Sequence, residues 1–233
     1  MKICIITGSS GLIGSESVSF FADKFDKVIG IDNNMRARFF GEDASTEWNT
    51  KKLIDTIPNF KTRDILYVKG LLAGNKTVHV FVNHWPSRRG GQDESEPNRI
   101  KAAQMAATFI DSVTKASPAS KIVFMGDLND YPTNKSVQMI AERLTPMITK
   151  ASGKFGGSYN YRNEWDVLDH IMVSPNAFKG KFRIVNNSGT ILSNDFIIEE
   201  YKGNLVPKRN YAGDKYLDGY SDHLPVKIEV ILK

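Results

Sequence analysis

Apolar positions recur along the chain in two rhythms. "KICII" opens with an unbroken apolar run suited to a short buried strand. Val18, Phe21, Ala22 and Phe25 then return at helical spacing, and "KVIGID" follows as a second apolar strand. The opening therefore predicts a β-α-β unit. "GEDASTEWNT" is turn-like, with Ser45 or Thr46 placed as helix caps, and "KKLIDTI" predicts a short helix stopped by Pro58. Beyond residue 61 the texture changes. "DILYVKGLL" and "TVHVFVNHW" read as strands joined through the hairpin signal "AGNK". Ile100, Ala103, Ala107 and Ile110 predict an amphipathic helix from about Asn98 to Lys115. "KIVFMGDLND" is a buried strand running into a polar loop, and "KSVQMIAERL" is a further helix. "DVLDHIMVS", "KFRIVN", "DFIIEE" and "LPVKIEVIL" make the tail mostly strands. No repeat, low-complexity tract or Gly/Ser linker separates the two textures, so a junction at Lys61–Thr62 is abrupt.

Length and composition bound this picture. A chain of 233 residues builds one good-sized domain, or one domain with a small appendage. With 41% apolar and 24% charged residues it has an ordinary globular composition. No window resembles a membrane span, and the turn after Ile6 interrupts anything like a secretory signal. Cys4 is the single cysteine and forms no internal disulfide, which fits a reducing cytoplasm. The net charge of +5 falls wholly beyond residue 61, because residues 1–61 hold eight basic and eight acidic side chains. A mildly basic body suits an anionic substrate such as a phosphate ester.

"TGSSGLIGS" places Gly8, Gly11 and Gly14 between the first strand and the helix. Glycines at that spacing permit a tight turn, close approach of backbone to a pyrophosphate, and close helix–strand packing. The helix N-terminus offers free N–H groups to an anion, and Asp32 ends the second strand where an acid would accept the ribose hydroxyls of NAD. In "ITGSSGLIGS" and "VIGIDNNMR" the first 61 residues resemble extended short-chain dehydrogenases, in particular NAD-dependent nucleotide-sugar epimerases. That resemblance implies a Rossmann sheet and a later Tyr-x-x-x-Lys pair. The spacing occurs at Tyr131…Lys135 and Tyr211…Lys215. Pro132 lies inside the first pair and a loop-like "NYAGDKY" holds the second, so neither reads as catalytic.

Polar clusters beside predicted strands carry a different chemistry: "VNHWPSRRGG", "FMGDLNDYP", "YSDHLPV", and Asp169 within "DVLDHIMVS". Metal-assisted phosphoester hydrolysis needs hard oxygen ligands, an oriented water, and donors for charge developing on phosphorus. Asp127, Asn129 and Asp222 supply oxygens, His84 and His223 supply imidazoles, and Arg88 and Arg89 are placed to meet a phosphate. His79 and His170 read as structural histidines. In "NHWPSR", "GDLND", "LDHIMVS" and "SDHLPV", residues 62–233 resemble the endonuclease/exonuclease/phosphatase superfamily.

By that resemblance His84 contacts the scissile phosphate and Asp127 orients or deprotonates the attacking water. Asn129 positions phosphate or metal, and Asp169 holds a histidine in its working tautomer. Asp222 helps to hold Mg²⁺ or Mn²⁺, and His223 serves as acid/base or transition-state donor. Asp127 is thus both a catalytic and a metal-binding candidate, and the sequence does not single out the general base. The implied fold class is α/β (α+β): the C-terminal half of a four-layer α/β/β/α sandwich at 62–233, preceded by a Rossmann-like β-α-β fragment at 1–61. The superfamily's first half would bring an asparagine and a metal-binding glutamate. Glu16, Glu42 and Glu47 do not sit in a matching motif.

The chain therefore reads as a chimera of two families. It is expected to be a metal-dependent phosphodiesterase or phosphatase whose activity is weak or absent, since losing a principal metal ligand removes several kcal/mol of transition-state stabilisation. Nucleic acid, phospholipid and small phosphoesters all remain open as substrates. The alternatives are an NAD-binding epimerase fragment and a non-catalytic fusion product.

Overall fold

The computed structural model describes residues 3–7, 9–10, 12–31, 45, 48, 52, 65–72, 76–88, 90–213 and 215–232. The chain divides into two compact units, Met1–Leu66 and Tyr67–Lys233.

In the first unit, β1 (Ile3–Thr7) and β2 (Lys27–Ile31) pair in parallel, Ile3 opposite Lys27 and Thr7 opposite Ile31. Parallel neighbours need a crossover, and α1 (Leu12–Phe21) supplies it. Val18 is fully buried, with Ile6 and Val28 packed against it. The helix stops at Phe21, so Ala22 and Phe25 lie beyond the helical stretch expected to include them. Gly14 lies within α1, whereas Gly8, Gly11 and Asp32 lie outside the described residues. The same holds for most of "GEDASTEWNT" and "KKLIDTI".

The second unit is built on a five-stranded sheet. Its strands are β3 (Leu66–Leu72), β4 (Lys76–His84), β5 (Lys121–Asp127), β6 (Thr145–Pro146) and, after two short strands, β9 (Asp169–Val173). Their order is β3-β4-β5-β9-β6. β4 and β5 are parallel, while β9 runs antiparallel to β5 and β6. Successive side chains leave opposite faces of a strand, and both faces here are covered. On one face Phe81 packs edge-on against Phe109 of α2 (Gln92–Ala116), and Phe124 and Trp85 join that layer. α3 (Lys135–Ala141) lies beside α2. On the other face Val78, Val123, Ile171 and Val173 share a core with Ile184, Ile191, Ile197 and Leu224.

That second core is roofed by short antiparallel pairs. β7 (Tyr159–Tyr161) pairs with β8 (Glu164–Asp166), and β10 (Arg183–Ile184) pairs with β17 (Val230–Ile231). β11 (Thr190–Ile191) meets β16 (Val226–Lys227) and β12 (Ile198–Tyr201) meets β13 (Asn204–Pro207), while β14 (Tyr211–Ala212) and β15 (Lys215–Tyr216) pair as an exposed ribbon outside that core. The architecture is mixed α+β, with three α-helices among the described residues.

Two expectations need correction in extent. α2 begins at Gln92, six residues before Asn98, and carries Pro97 as its sixth residue, where the ring gives up an i→i−4 hydrogen bond; that is the position at which a sequence pattern would start a new helix. The tail strands are fragments of two to five residues rather than continuous runs. Its backbone turns repeatedly, through a left-handed Asn187 (φ 56°) and Pro225, which has no N–H to give a ladder. Among the described residues no helix is long and apolar enough to cross a membrane.

Candidate active site

Strand register builds the centre of the site. His84 is the last residue of β4 and lies opposite Asp127, the last residue of β5. Asp127 in turn lies opposite Asp169, the first residue of β9. Because β4 and β5 are parallel and β9 is antiparallel, the three polar residues fall in one row at one end of the three middle strands. Adjacent strands lie about 4.8 Å apart, so such a row brings three reactive groups within reach of one ligand.

The β5 end is held by the backbone around it. Gly126 has φ 140°, and a Cβ there would lie 1.9 Å from the Asn83 carbonyl oxygen, so only glycine lets β4 and β5 approach this closely. The Trp85 N–H donates to the Asp127 carbonyl at 2.9 Å, and its buried indole donates to Asn83 Oδ1 at 3.2 Å. The chain then turns through Asn129 (φ 50°), a left-handed conformation that asparagine tolerates better than most residues. The Asn129 N–H donates to Asp127 Oδ1 at 2.8 Å. Its Nδ2 donates to Asp127 Oδ2 and to the Trp85 carbonyl, both at 3.1 Å. Both amide hydrogens are thus committed, and Oδ1 is the acceptor that Asn129 has left to offer.

His223 arrives from the far end of the chain. Its segment is tied down by Leu224 N–H to Ser158 O at 2.7 Å and by a β-bridge to Tyr159, whose ring lies 4.7 Å from the imidazole. Nδ1 lies 2.6 Å from Asp169 Oδ2, and Nε2 lies 4.0 Å from Asp127 Oδ2. A carboxylate at Nδ1 keeps a proton there and turns Nε2 towards the site. Ser158 Oγ accepts the Asp169 N–H at 3.2 Å, fixing the start of β9. His84 is the exposed member, its Nε2 3.6 Å from Asp127 Oδ2.

These positions shift two titrations. Burial pushes the Asp127 carboxyl above its usual range and the Asp169 charge adds to this, against the pull of His223, the Asn129 N–H and His84. For His223 burial alone favours the neutral ring. The hydrogen bond and charge of Asp169, with Asp127 and Asp222, outweigh it and raise the pKa above 6.5.

Candidate ligand atoms of Asp127, Asp169 and His223 all lie within 4.8 Å of one another. Asp222 and Asn129 line the same cavity, of about 980 Å³. An acidic, oxygen-rich pocket whose central carboxylate is disfavoured in its charged form suits a hard divalent cation, which binds through one or two carboxylates plus waters. Tyr131, Tyr159 and Tyr161 add aromatic walls, and the Arg88 guanidinium sits 4.1 Å over the Tyr131 ring.

The structure thus brings His84, Asp127, Asn129, Asp169, Asp222 and His223 around one cavity. Arg89 lies outside the described residues. His79 and His170 are buried elsewhere, against Tyr67 Oη and the Asp130 carbonyl respectively. Sequence reasoning missed Gln92, Ser158 and Tyr159. Tyr131, which the sequence offers only as half of a dehydrogenase-type pair, lines the cavity.

No curated protein matches the chain. Among solved structures, a Staphylococcus aureus beta-toxin variant with bound magnesium ions is 15% identical over 75% of this chain and 62% of its own, at a TM-score of 0.51. Sphingomyelinase C of Streptomyces griseocarneus is 19% identical over 74% of this chain and 58% of its own, at a TM-score of 0.50. The chain thus spans about three-fifths of the length of either, and the likeness is one of fold. The model of the Endonuclease/Exonuclease/phosphatase family matches residues 26–232, crossing the junction expected at Lys61–Thr62. With its site assembled on that fold, the chain belongs to the endonuclease/exonuclease/phosphatase family.

Proposed function

We propose that the cavity hydrolyses a phosphate ester with the aid of Mg²⁺ or Mn²⁺. The observation that carries this reading is the row His84–Asp127–Asp169 across three strands, completed by His223 on Asp169. Asp127, Asn129 and Asp222 would hold the cation, which when bound neutralises phosphoryl oxygen charge and makes bound water more acidic.

The protein groups divide the proton work. Asp127 has a raised affinity for a proton and is placed to orient the attacking water and accept its proton. His223, whose protonated form Asp169 favours, would present Nε2–H to charge developing on the phosphoryl or leaving oxygen. His84, exposed at the strand end, would bind a non-bridging oxygen, and Asn129 Oδ1 would bind cation or water. Residues 62–233 correspond in this reading to the C-terminal half of a four-layer sandwich, so turnover is expected to be slow.

Hydrolysis of bis-p-nitrophenyl phosphate and of p-nitrophenyl phosphate, measured with Mg²⁺, with Mn²⁺ and in EDTA, tests the function. Turnover that EDTA abolishes and added metal restores supports it. Equal turnover in EDTA contradicts it. A chain that neither turns over nor shows a metal-dependent rise in melting temperature is the non-catalytic scaffold instead.

A further inference from the structure

Behind the cavity lies a closed set of buried polar contacts. Arg99, in α2, and Asp130, which follows Asn129, both have side chains that are 0% exposed, with Nε and Oδ2 2.8 Å apart. This contact is an ion pair rather than an aligned hydrogen bond, and other donors complete the set. Arg99 Nη1 donates to Ser95 Oγ at 2.8 Å and Nη2 to Gln92 Oε1 at 2.9 Å. Gln92 Nε2 donates to Asp130 Oδ1 at 3.1 Å, closing a triangle. Ser136 Oγ donates to Asp130 Oδ2 at 2.6 Å, and His170 Nε2 contacts the Asp130 carbonyl at 2.9 Å.

We infer that Arg99, Gln92 and Asp130 form a positioning unit for the hydrolysis proposed above, on which the inference rests. The triangle joins three of the segments around the cavity. Gln92 lines the cavity itself, Asp130 fixes the peptide after left-handed Asn129, and His170 follows Asp169 in β9. Displacing Asp130 would carry Asn129 with it and break both donors to Asp127. A buried ion pair is a poor source of stability, because apolar residues of similar volume often serve as well or better, whereas it fixes geometry. Lysine would not replace Arg99, because one ammonium does not reproduce the planar fork that reaches Asp130, Ser95 and Gln92 together.

The test uses the double variant Arg99→Met/Asp130→Leu, which removes both charges and leaves neither unpaired, and the single variant Gln92→Leu, which opens the triangle but keeps the ion pair. Each folded variant is expected to lose about tenfold or more in kcat with KM changed less than about threefold. Amide exchange over residues 127–131 is expected to accelerate about tenfold while the core of β5 stays protected. If the double variant does not fold, Gln92→Leu decides. A folded variant with kcat within about twofold of the parent overturns the inference, whatever its exchange, because a mere packing role moves stability and not turnover. A parent inactive on every phosphoester contradicts the proposed function instead. Exchange over 127–131 then decides this inference alone, and unchanged protection sinks it.

Discussion

His223 Nδ1 and Asp169 Oδ2 meet at 2.6 Å although 54 residues separate them in the chain. A carboxylate so placed fixes the tautomer and orientation of the imidazole and favours its charged form. In the proposed reaction His223 would therefore act as a directed donor rather than as a freely rotating base.

Replacing Asp169 tests that dependence. Asp169→Asn keeps the shape but supplies an amide where His223 needs an acceptor. The variant is expected to fold and to bind substrate with KM changed less than about threefold, while kcat falls about 10²- to 10⁴-fold. Steady-state kinetics on either nitrophenyl ester measures the split. A loss confined to KM would remove His223 from the proton chemistry.

The same pair sets a pH dependence of stability. The folded pKa of His223 lies above its ordinary value of 6.5. The stabilisation from its protonated form is therefore fully present below about pH 6.5 and is lost as pH rises through the folded value. Melting temperatures of parent and His223→Gln, taken in EDTA between about pH 5.5 and 9, are expected to differ most at the acid end and to converge towards the alkaline end. A difference that widens with pH would reverse the assigned direction.

Arg88 makes a separate forecast. Its guanidinium stacks on Tyr131 at the cavity, apart from the reacting row. Arg88→Ala is expected to raise KM about tenfold, the size of a lost charge-assisted contact, with kcat within about threefold. An unchanged KM for both the monoester and the diester would place Arg88 outside substrate binding.

The site was legible in the sequence where polar residues abruptly end an apolar strand. His84 after "TVHVFVN", Asp127 after "KIVFMG" and Asp169 before "HIMV" each break such a run, and strand ends are where a sheet presents reactive groups. What stayed hidden depends on distant pairing. Nothing adjacent to Arg99 in the chain marks it as buried, yet it is fully buried because Asp130, 31 positions later, comes to meet it. Ser158 looks like part of a loop in "GGSYN", and only the fold shows that its hydroxyl and carbonyl tie Asp169 to the His223 segment. The expected tail strands are longer than the observed ones because an apolar run does not reveal where a partner strand stops.

In the proposed function, groups from β4, β5, β9 and the C-terminal segment work as one hydrolytic centre. The most direct measurement is the Mg²⁺-dependent rate of bis-p-nitrophenyl phosphate hydrolysis by the parent, by Asp127→Ala and by His223→Ala, each first shown to be folded. Either substitution alone is expected to bring the rate down about 10²-fold or more, towards the uncatalysed value. Folded variants that both retain the parent rate would contradict it.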